Sequence, residues 1–417
     1  MRLFNATATT FAVASFALAL LAGHAPSAPI PAAAPAHSIK PIEKQKKAPA
    51  KAGQPKTGAT AIKTRPPFTA EDAEKAVVLG LPDARAWGDS EDEFARLMPT
   101  ASGAWLALSG GGSDGAYAAG LLAGLTQSGN RPQFAVVTGS SIGALIAPFA
   151  FLGPSHDQEL QTLFTTITAG DIFEDRQTTT SLMDSWPLKR TIEQHATAQL
   201  LAEIAAEHRR GRRLLAATTN LDFGRRVIWN MGAIAERGDD KALQLFRDVL
   251  LASASIPGIF PPVAIDTQAN GREIQELHND GTITAPFFVA PEAVLAGTGT
   301  VHLPTREVYV IVNAKLAPGF ELTAPQTTSV VLGRSIEVAL RSALRVELLL
   351  TLGAAQKQGI ALSVAQIDPE FAHPSRGAFD PDYMQAVYQF GLEQAKAGKA
   401  FETVAADAPE LRGGISR

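Results

Sequence analysis

Two glycine-framed turns about thirty residues apart carry the residue types that acyl-transfer chemistry needs: Gly110-Gly111-Gly112-Ser113-Asp114-Gly115 and Gly139-Ser140-Ser141-Ile142-Gly143. In the second, Ser141 has a glycine two residues away on either side. That spacing suits a nucleophile elbow, where the central residue takes a strained backbone conformation and a side chain at Gly139 or Gly143 would strike the neighbouring strand or helix. Ser140 lacks this framing. The glycines of the first turn let successive backbone N–H groups, backed by the positive end of a following helix, point at a developing oxyanion. Each such donor is commonly worth on the order of 10²–10³ in rate.

Both turns need a strand before them and a helix after. The sequence predicts a strand over Trp105–Ser109 and a helix over Ala116–Gln127 around the first, then a strand over Phe134–Thr138 and a helix from Ile142 around the second. Further strands are expected at Leu214–Thr219, Arg226–Asn230 and Val308–Asn313, with helices at Lys241–Ala252 and Ser329–Gln358. Alternation of this kind specifies an α/β fold with a mainly parallel central sheet and helices on both faces. The first turn also satisfies G-x-G-x-x-G, but a dinucleotide site requires an acidic residue about 20 positions on, at the end of the second strand. No Asp or Glu occurs between Asp114 and Asp157, so the oxyanion reading is preferred.

Three ordered motifs, GGGSDG, GSSIG and His278-Asn279-Asp280-Gly281, resemble the signatures of the patatin-like phospholipase family. The segment Ala252-Ser253-Ala254-Ser255-Ile256-Pro257-Gly258-Ile259-Phe260-Pro261-Pro262 resembles the family's A-S-x-x-x-P-x-x-F-P-P stretch. The resemblance covers Trp105 to Asn313, about half of the chain. It implies a lipid acyl hydrolase with a Ser/Asp dyad on an α/β sandwich: Ser141 the nucleophile, Asp280 its general base, and the backbone of Gly110, Gly111 and Gly112 the oxyanion hole. Two positions depart from the family pattern. Asp114 stands where Arg or Lys is common, which removes a nearby cation. Thr282 stands where Gly or Ala is common, which leaves the Asp-Gly core intact and the orientation of its carboxylate open.

The dyad also follows from chemistry. A serine hydroxyl is a poor nucleophile until a base accepts its proton, and the same base must later activate water. A carboxylate within hydrogen-bond reach does both when partial desolvation raises its proton affinity. A lone Asp-Gly is ordinarily a turn; the company of the two earlier motifs makes Asp280 the candidate. The rival base is histidine, since α/β-hydrolases keep the order Ser, acid, His, and His302 and His373 lie downstream of Asp280. Both fall in turn-like contexts, Pro-Thr-Arg and Pro-Ser-Arg-Gly, that read as exposed loops. His156, His195, His208 and His278 show no metal-ligand spacing, so neither a metal nor a cofactor is expected.

The 417 residues contain no cysteine, which rules out disulfides, a cysteine nucleophile and a lipid-anchored cysteine. Phe11–Gly23 is an uncharged apolar run behind Arg2, the pattern of a secretory signal peptide, assigned to residues 1–27. Residues 28–67 form an Ala/Pro/Lys-rich linker without hydrophobic period. Residues 1–67 hold nine bases against Glu43, a balance of +8, while the remaining 28 bases and 40 acids leave the body at −12. The basic tail could touch anionic lipid head groups, whereas the acidic body argues against nucleic acid.

An N-terminal helical extension is expected over 68–104, opening at Thr69 with Glu71 and Asp72 in the first turn, and the acidic residues Asp89, Glu91, Asp92 and Glu93 read as a solvated face. The catalytic domain spans 105–315. A C-terminal helical extension, 316–417, carries a long stripe of Ile336, Leu340, Leu344, Leu348 and Leu352, read as core packing with lipid docking as the lesser reading. Tyr383, Tyr388 and Phe390 follow in a terminal packing helix with no chemistry of its own. The sum is an exported, periplasmic or membrane-associated serine hydrolase of lipid esters, of phospholipase A or lysophospholipase type. Two alternatives stand beside it: a catalytically silent module binding lipid or a partner protein, and a carboxylesterase with a Ser/Asp/His triad.

Overall fold

The computed structural model describes residues 65–174, 181–317, 320, 323 and 328–404; the expected signal peptide and nearly all of the expected linker lie outside them. Among the described residues ten strands, β1 (Arg85–Trp87), β2 (Ala104–Leu108), β3 (Phe134–Ser140), β4 (Arg213–Asn220), β5 (Arg225–Asn230), β6 (Val263–Ala269), β7 (Arg272–Asp280), β8 (Glu307–Val312), β9 (Ala361–Gln366) and β10 (Glu402–Val404), form a single sheet. Its path is β1-β5-β4-β3-β2-β8-β9-β10, and β4-β3-β2-β8-β9 is all parallel.

The parallel strands are apolar on both faces, as a sheet covered on both sides must be. Leu106, Leu108 and Val137 join the larger core, while Trp105, Ala107 and Val136 join the second. Helices α1 (Gly115–Gln127), α2 (Ile142–Leu152), α3 (Asp157–Thr166), α4 (Trp186–His195), α5 (Ala198–Arg209) and α6 (Asp240–Ser253) lie on the first side. The second side is closed by Phe287, Phe288, Val294 and Leu295 and by the later part of α7 (Thr328–Gln358), through Leu344 and Leu348. Ile336, Leu340 and Leu352 of the expected stripe are half-buried. The last helix, α8 (Pro381–Lys396), returns to the first side, where Tyr117 of α1 and Phe390 approach to 6.2 Å.

Both expected helical extensions contribute strands, so the boundaries at 105 and 315 cut through the sheet. In the first, β1 pairs antiparallel with β5; in the second, β9 runs parallel to β8 and carries β10. The acidic stretch is more than a solvated face: Asp89 pairs with Arg225, and Glu93 accepts from the Trp87 N–H at 2.8 Å. Among the described residues no helix is long and apolar enough to cross a membrane.

One register decides the site. β3 pairs with β4 only as far as Ser140 opposite Ala217. Beyond that point β7 takes the place beside β4, with Asp280 opposite Thr218. The residue ending β7 is therefore set directly after the end of β3, where Ser141 begins its turn.

Candidate active site

Ser141 occupies the junction of β3 and α2 with φ 53° and ψ −126°, a conformation in which a residue with a side chain is strained. The junction is that sharp because its glycines allow it: a Cβ on Gly139 would lie 2.3 Å from the Gly143 carbonyl oxygen, and one on Gly143 2.5 Å from that of Leu108. The Ser141 N–H donates to Ser253 Oγ at 3.0 Å, and that hydroxyl donates in turn to the Ala217 carbonyl at 2.7 Å. Ser253, at the last residue of α6, thus ties the elbow to β4.

Asp280 is buried, 1% exposed. Its N–H donates to the Ser255 carbonyl at 3.0 Å, and its own carbonyl accepts from Thr219 Oγ1 at 2.9 Å. The carboxylate is divided between two partners. Oδ1 accepts from the N–H and the hydroxyl of Thr282 at 2.8 and 2.6 Å, and Oδ2 accepts from Ser141 Oγ at 2.7 Å. Burial pushes the Asp280 carboxyl up to about 6, against the hydrogen bonds from Thr282 and Ser141 that pull it down. A carboxylate so placed is within direct reach of the serine proton and poised near neutrality to accept it.

The turn Gly110–Gly112 packs on this pair: a Cβ on Gly110 would stand 3.1 Å from Ser141 Cβ and 2.3 Å from Thr282 Cγ2. The structure corrects one expectation here. The Gly110 N–H donates to the Pro286 carbonyl at 3.2 Å and is spent on holding the loop, so Gly110 is no oxyanion donor. Gly111 and Gly112, with φ of 156° and 55°, remain; among the described residues no acceptor takes their N–H groups. Asn313, at the end of β8, braces the turn. Its side-chain amide donates to the Ser109 carbonyl and its backbone N–H to Ser109 Oγ, both at 2.9 Å, and a Cβ on Gly111 would fall 2.1 Å from its carbonyl oxygen.

The departure at Asp114 has a partner that the sequence reading set aside. Tyr383 of α8 donates its hydroxyl to Asp114 Oδ1 at 2.5 Å. Burial pushes this carboxyl up to about 6, against the Tyr383 hydrogen bond and the charges of Lys315 and Arg341. The terminal helix therefore reaches the turn that carries the candidate oxyanion donors.

The histidines separate clearly. His302 and His373 are exposed and face the carbonyls of Thr300 and Pro374 at 3.1 and 3.0 Å, and neither contacts Ser141 or Asp280. No triad is assembled through them. His278 is fully buried, two residues before Asp280 on the same face of β7. Trp229 Nε1–H donates to Thr218 Oγ1 at 2.7 Å, and with the ring proton on Nε2, facing the Glu276 carboxylate, the Thr218 hydroxyl donates to His278 Nδ1 at 2.9 Å. His278 Nε2–H is then directed at Glu276 Oε2, 3.4 Å away, and Glu276 pairs with Arg85. Burial pulls the His278 imidazole below its ordinary value. The neutral ring, fixed in one tautomer, joins the strand ending in Asp280 to β4 and β1. Only the alternation Glu276, His278, Asp280 could have revealed this ladder in the sequence. Among the described residues no group of three or more His, Asp and Glu is placed to hold a metal ion.

Residues 106–291 match the family model described as Patatin-like phospholipase. No curated relative matches the chain. Among solved structures, the crystal structure of VipD from Legionella pneumophila is similar over 77% of this chain and 71% of that one, with a TM-score of 0.36 and 10% identity.

Proposed function

We propose that this protein, whose residues 106–291 match the model described as Patatin-like phospholipase, is a serine acyl hydrolase cleaving fatty-acyl esters of lipids and phospholipids through a Ser141–Asp280 dyad and an acyl-enzyme. The observation that carries the proposal is the 2.7 Å hydrogen bond from Ser141 Oγ to Asp280 Oδ2 inside a buried site. A phospholipase A or lysophospholipase activity is the particular form we assign. The exported location is part of the same proposal and rests on the apolar run Phe11–Gly23.

Asp280 takes the proton of Ser141 as Oγ bonds to the ester carbonyl carbon, and the carbonyl oxygen becomes an oxyanion facing the N–H groups of Gly111 and Gly112. Collapse breaks the bond to the alcohol, which leaves with the proton held by Asp280. Water then gives a proton to Asp280 and its oxygen to the acyl carbon. The second collapse releases the fatty acid and returns the proton to Ser141 Oγ. One carboxylate thus serves both halves of the cycle.

The test is labelling of the protein with a fluorophosphonate, with mass mapping of the adduct. A single adduct on Ser141, lost in Ser141→Ala and strongly slowed in Asp280→Asn, is expected. A folded protein that stays unlabelled, or that hydrolyses esters equally well with Ser141→Ala, sinks the proposal.

A further inference from the structure

On the α2 side of the sheet, helices and the loop bearing Phe379 line a partly open apolar cavity of about 40 Å³. Ile142, the residue after Ser141, forms part of its wall, with Leu145, Phe164, Leu188, Leu250 and Phe379. The oxyanion turn rests on the same wall: a Cβ on Gly115 would meet Ile142 Cγ1 at 2.6 Å and Phe164 Cε1 at 3.1 Å. The wall of the void thus includes Ile142, the neighbour of the serine on which Gly115 packs, and the lining is almost wholly apolar. Such a lining offers nothing to a head group and suits a hydrocarbon chain.

Phe379 is unusual in this wall. It is buried, 7% exposed, yet holds φ at 52°, a left-handed conformation that is costly for a bulky residue. Its N–H donates to Ser113 Oγ at 2.8 Å, which links it to the oxyanion turn. The following Asp380 is clasped by Arg376 and caps α8. At about 40 Å³ the void is too small for an acyl chain, since an apolar cavity that holds benzene measures about 150 Å³.

We propose that this cavity receives the acyl chain of the ester bound at Ser141, and that Phe379 is the movable wall that sets how much chain it admits. The assignment to substrate rests on the acyl hydrolase reading above; the assignment of a chain-binding cavity does not. Glycine at 379 accepts the same φ without strain and removes the ring. Tryptophan at Leu145, a half-buried part of the lining, fills the void instead.

The experiment titrates dodecanoate into the full-length protein, Phe379→Gly and Leu145→Trp by calorimetry, and measures kcat/KM for p-nitrophenyl dodecanoate against the butyrate ester. We expect Phe379→Gly to tighten dodecanoate binding and raise the dodecanoate-to-butyrate ratio by about tenfold each, and Leu145→Trp to lower both by about tenfold. Should Phe379→Gly lose its fold by circular dichroism, Leu145→Trp alone decides. Binding and ratio unchanged in the folded variants, or no dodecanoate binding in any protein, overturns the cavity assignment. Binding that follows the expected pattern in a protein whose Ser141 takes no fluorophosphonate overturns the hydrolase reading and leaves a fatty-acid site.

Discussion

The hydroxyl of Thr282 stands 2.6 Å from Oδ1 of Asp280, and the Thr282 amide reaches the same oxygen at 2.8 Å. Both donors on Oδ1 leave Oδ2 free to face Ser141 Oγ. In a Ser/His/Asp triad the aspartate orients the base. Here the aspartate is itself the candidate base, and the threonine two residues on performs the orientation. The departure that left the carboxylate's direction open in the sequence is what defines it in the structure.

Thr282→Val keeps the backbone N–H and removes the hydroxyl. A hydrogen bond to a charged group contributes about 1.5–3 kcal/mol, and this one pulls the Asp280 carboxyl down. Its loss is expected to move the acid limb of kcat upward by roughly one pH unit and to lower kcat about fivefold at pH 6. Thr282→Ser, which restores the donor, should return the limb close to its original position. A pH profile of Thr282→Val superimposable on the wild type sinks this role.

The acid limb itself is predicted from Asp280. The carboxyl must be ionised to accept the serine proton, and its folded value is pushed up to about 6 by burial. kcat/KM is therefore expected to fall about tenfold per pH unit below that point and to level off above it. His302→Ala and His373→Ala should leave the profile in place, since neither ring touches the dyad. A limb displaced by either histidine variant would restore the triad.

The strands before the two turns, β2 and β3, were legible because each is an apolar run leading into glycine, and other elements because their apolar residues recur with a clear period. The expected strand Leu214–Thr219 is Arg213–Asn220, and the expected helix Lys241–Ala252 is Asp240–Ser253. What the sequence did not disclose is made by partners far apart along the chain. The Gly110 N–H finds Pro286, Ser141 finds Ser253, and Asp114 finds Tyr383, contacts whose partners lie more than 100 residues apart and leave no local pattern. Strands β1 and β10 are three residues long, too short for a period of two to register. The cavity wall draws on α2, α3, α4, α5, α6 and the loop bearing Phe379, so no single window contains it.

Ser253→Ala removes the acceptor of the Ser141 N–H and the donor to the Ala217 carbonyl, both buried. Leaving such groups unpaired costs about 1–3 kcal/mol each. The elbow, already strained at Ser141, has least tolerance for the loss. We expect lower thermal stability together with a drop in the rate of fluorophosphonate labelling of about tenfold or more. Loss of stability with an unchanged labelling rate, measured well below the melting temperature, would assign Ser253 to the core alone.

Asp280→Asn is expected to stabilise the fold while abolishing turnover. The folded carboxyl, pushed up to about 6, holds its proton more tightly than an unfolded aspartate at about 3.9. The sign follows from linkage: this preference favours the folded state fully below the unfolded value and is lost as pH rises through about 6. Above that point the buried carboxylate costs on the order of 2–3 kcal/mol relative to its neutral form. Asparagine has the same shape, stays neutral and keeps an oxygen for the two Thr282 donors. Thermal unfolding at pH 8 should therefore show Asp280→Asn melting several degrees above the wild type, with the gap closing near pH 4.5. An equal gap at both pH values would mean that the buried charge is not its source, and would remove the physical ground for Asp280 as a base near neutrality.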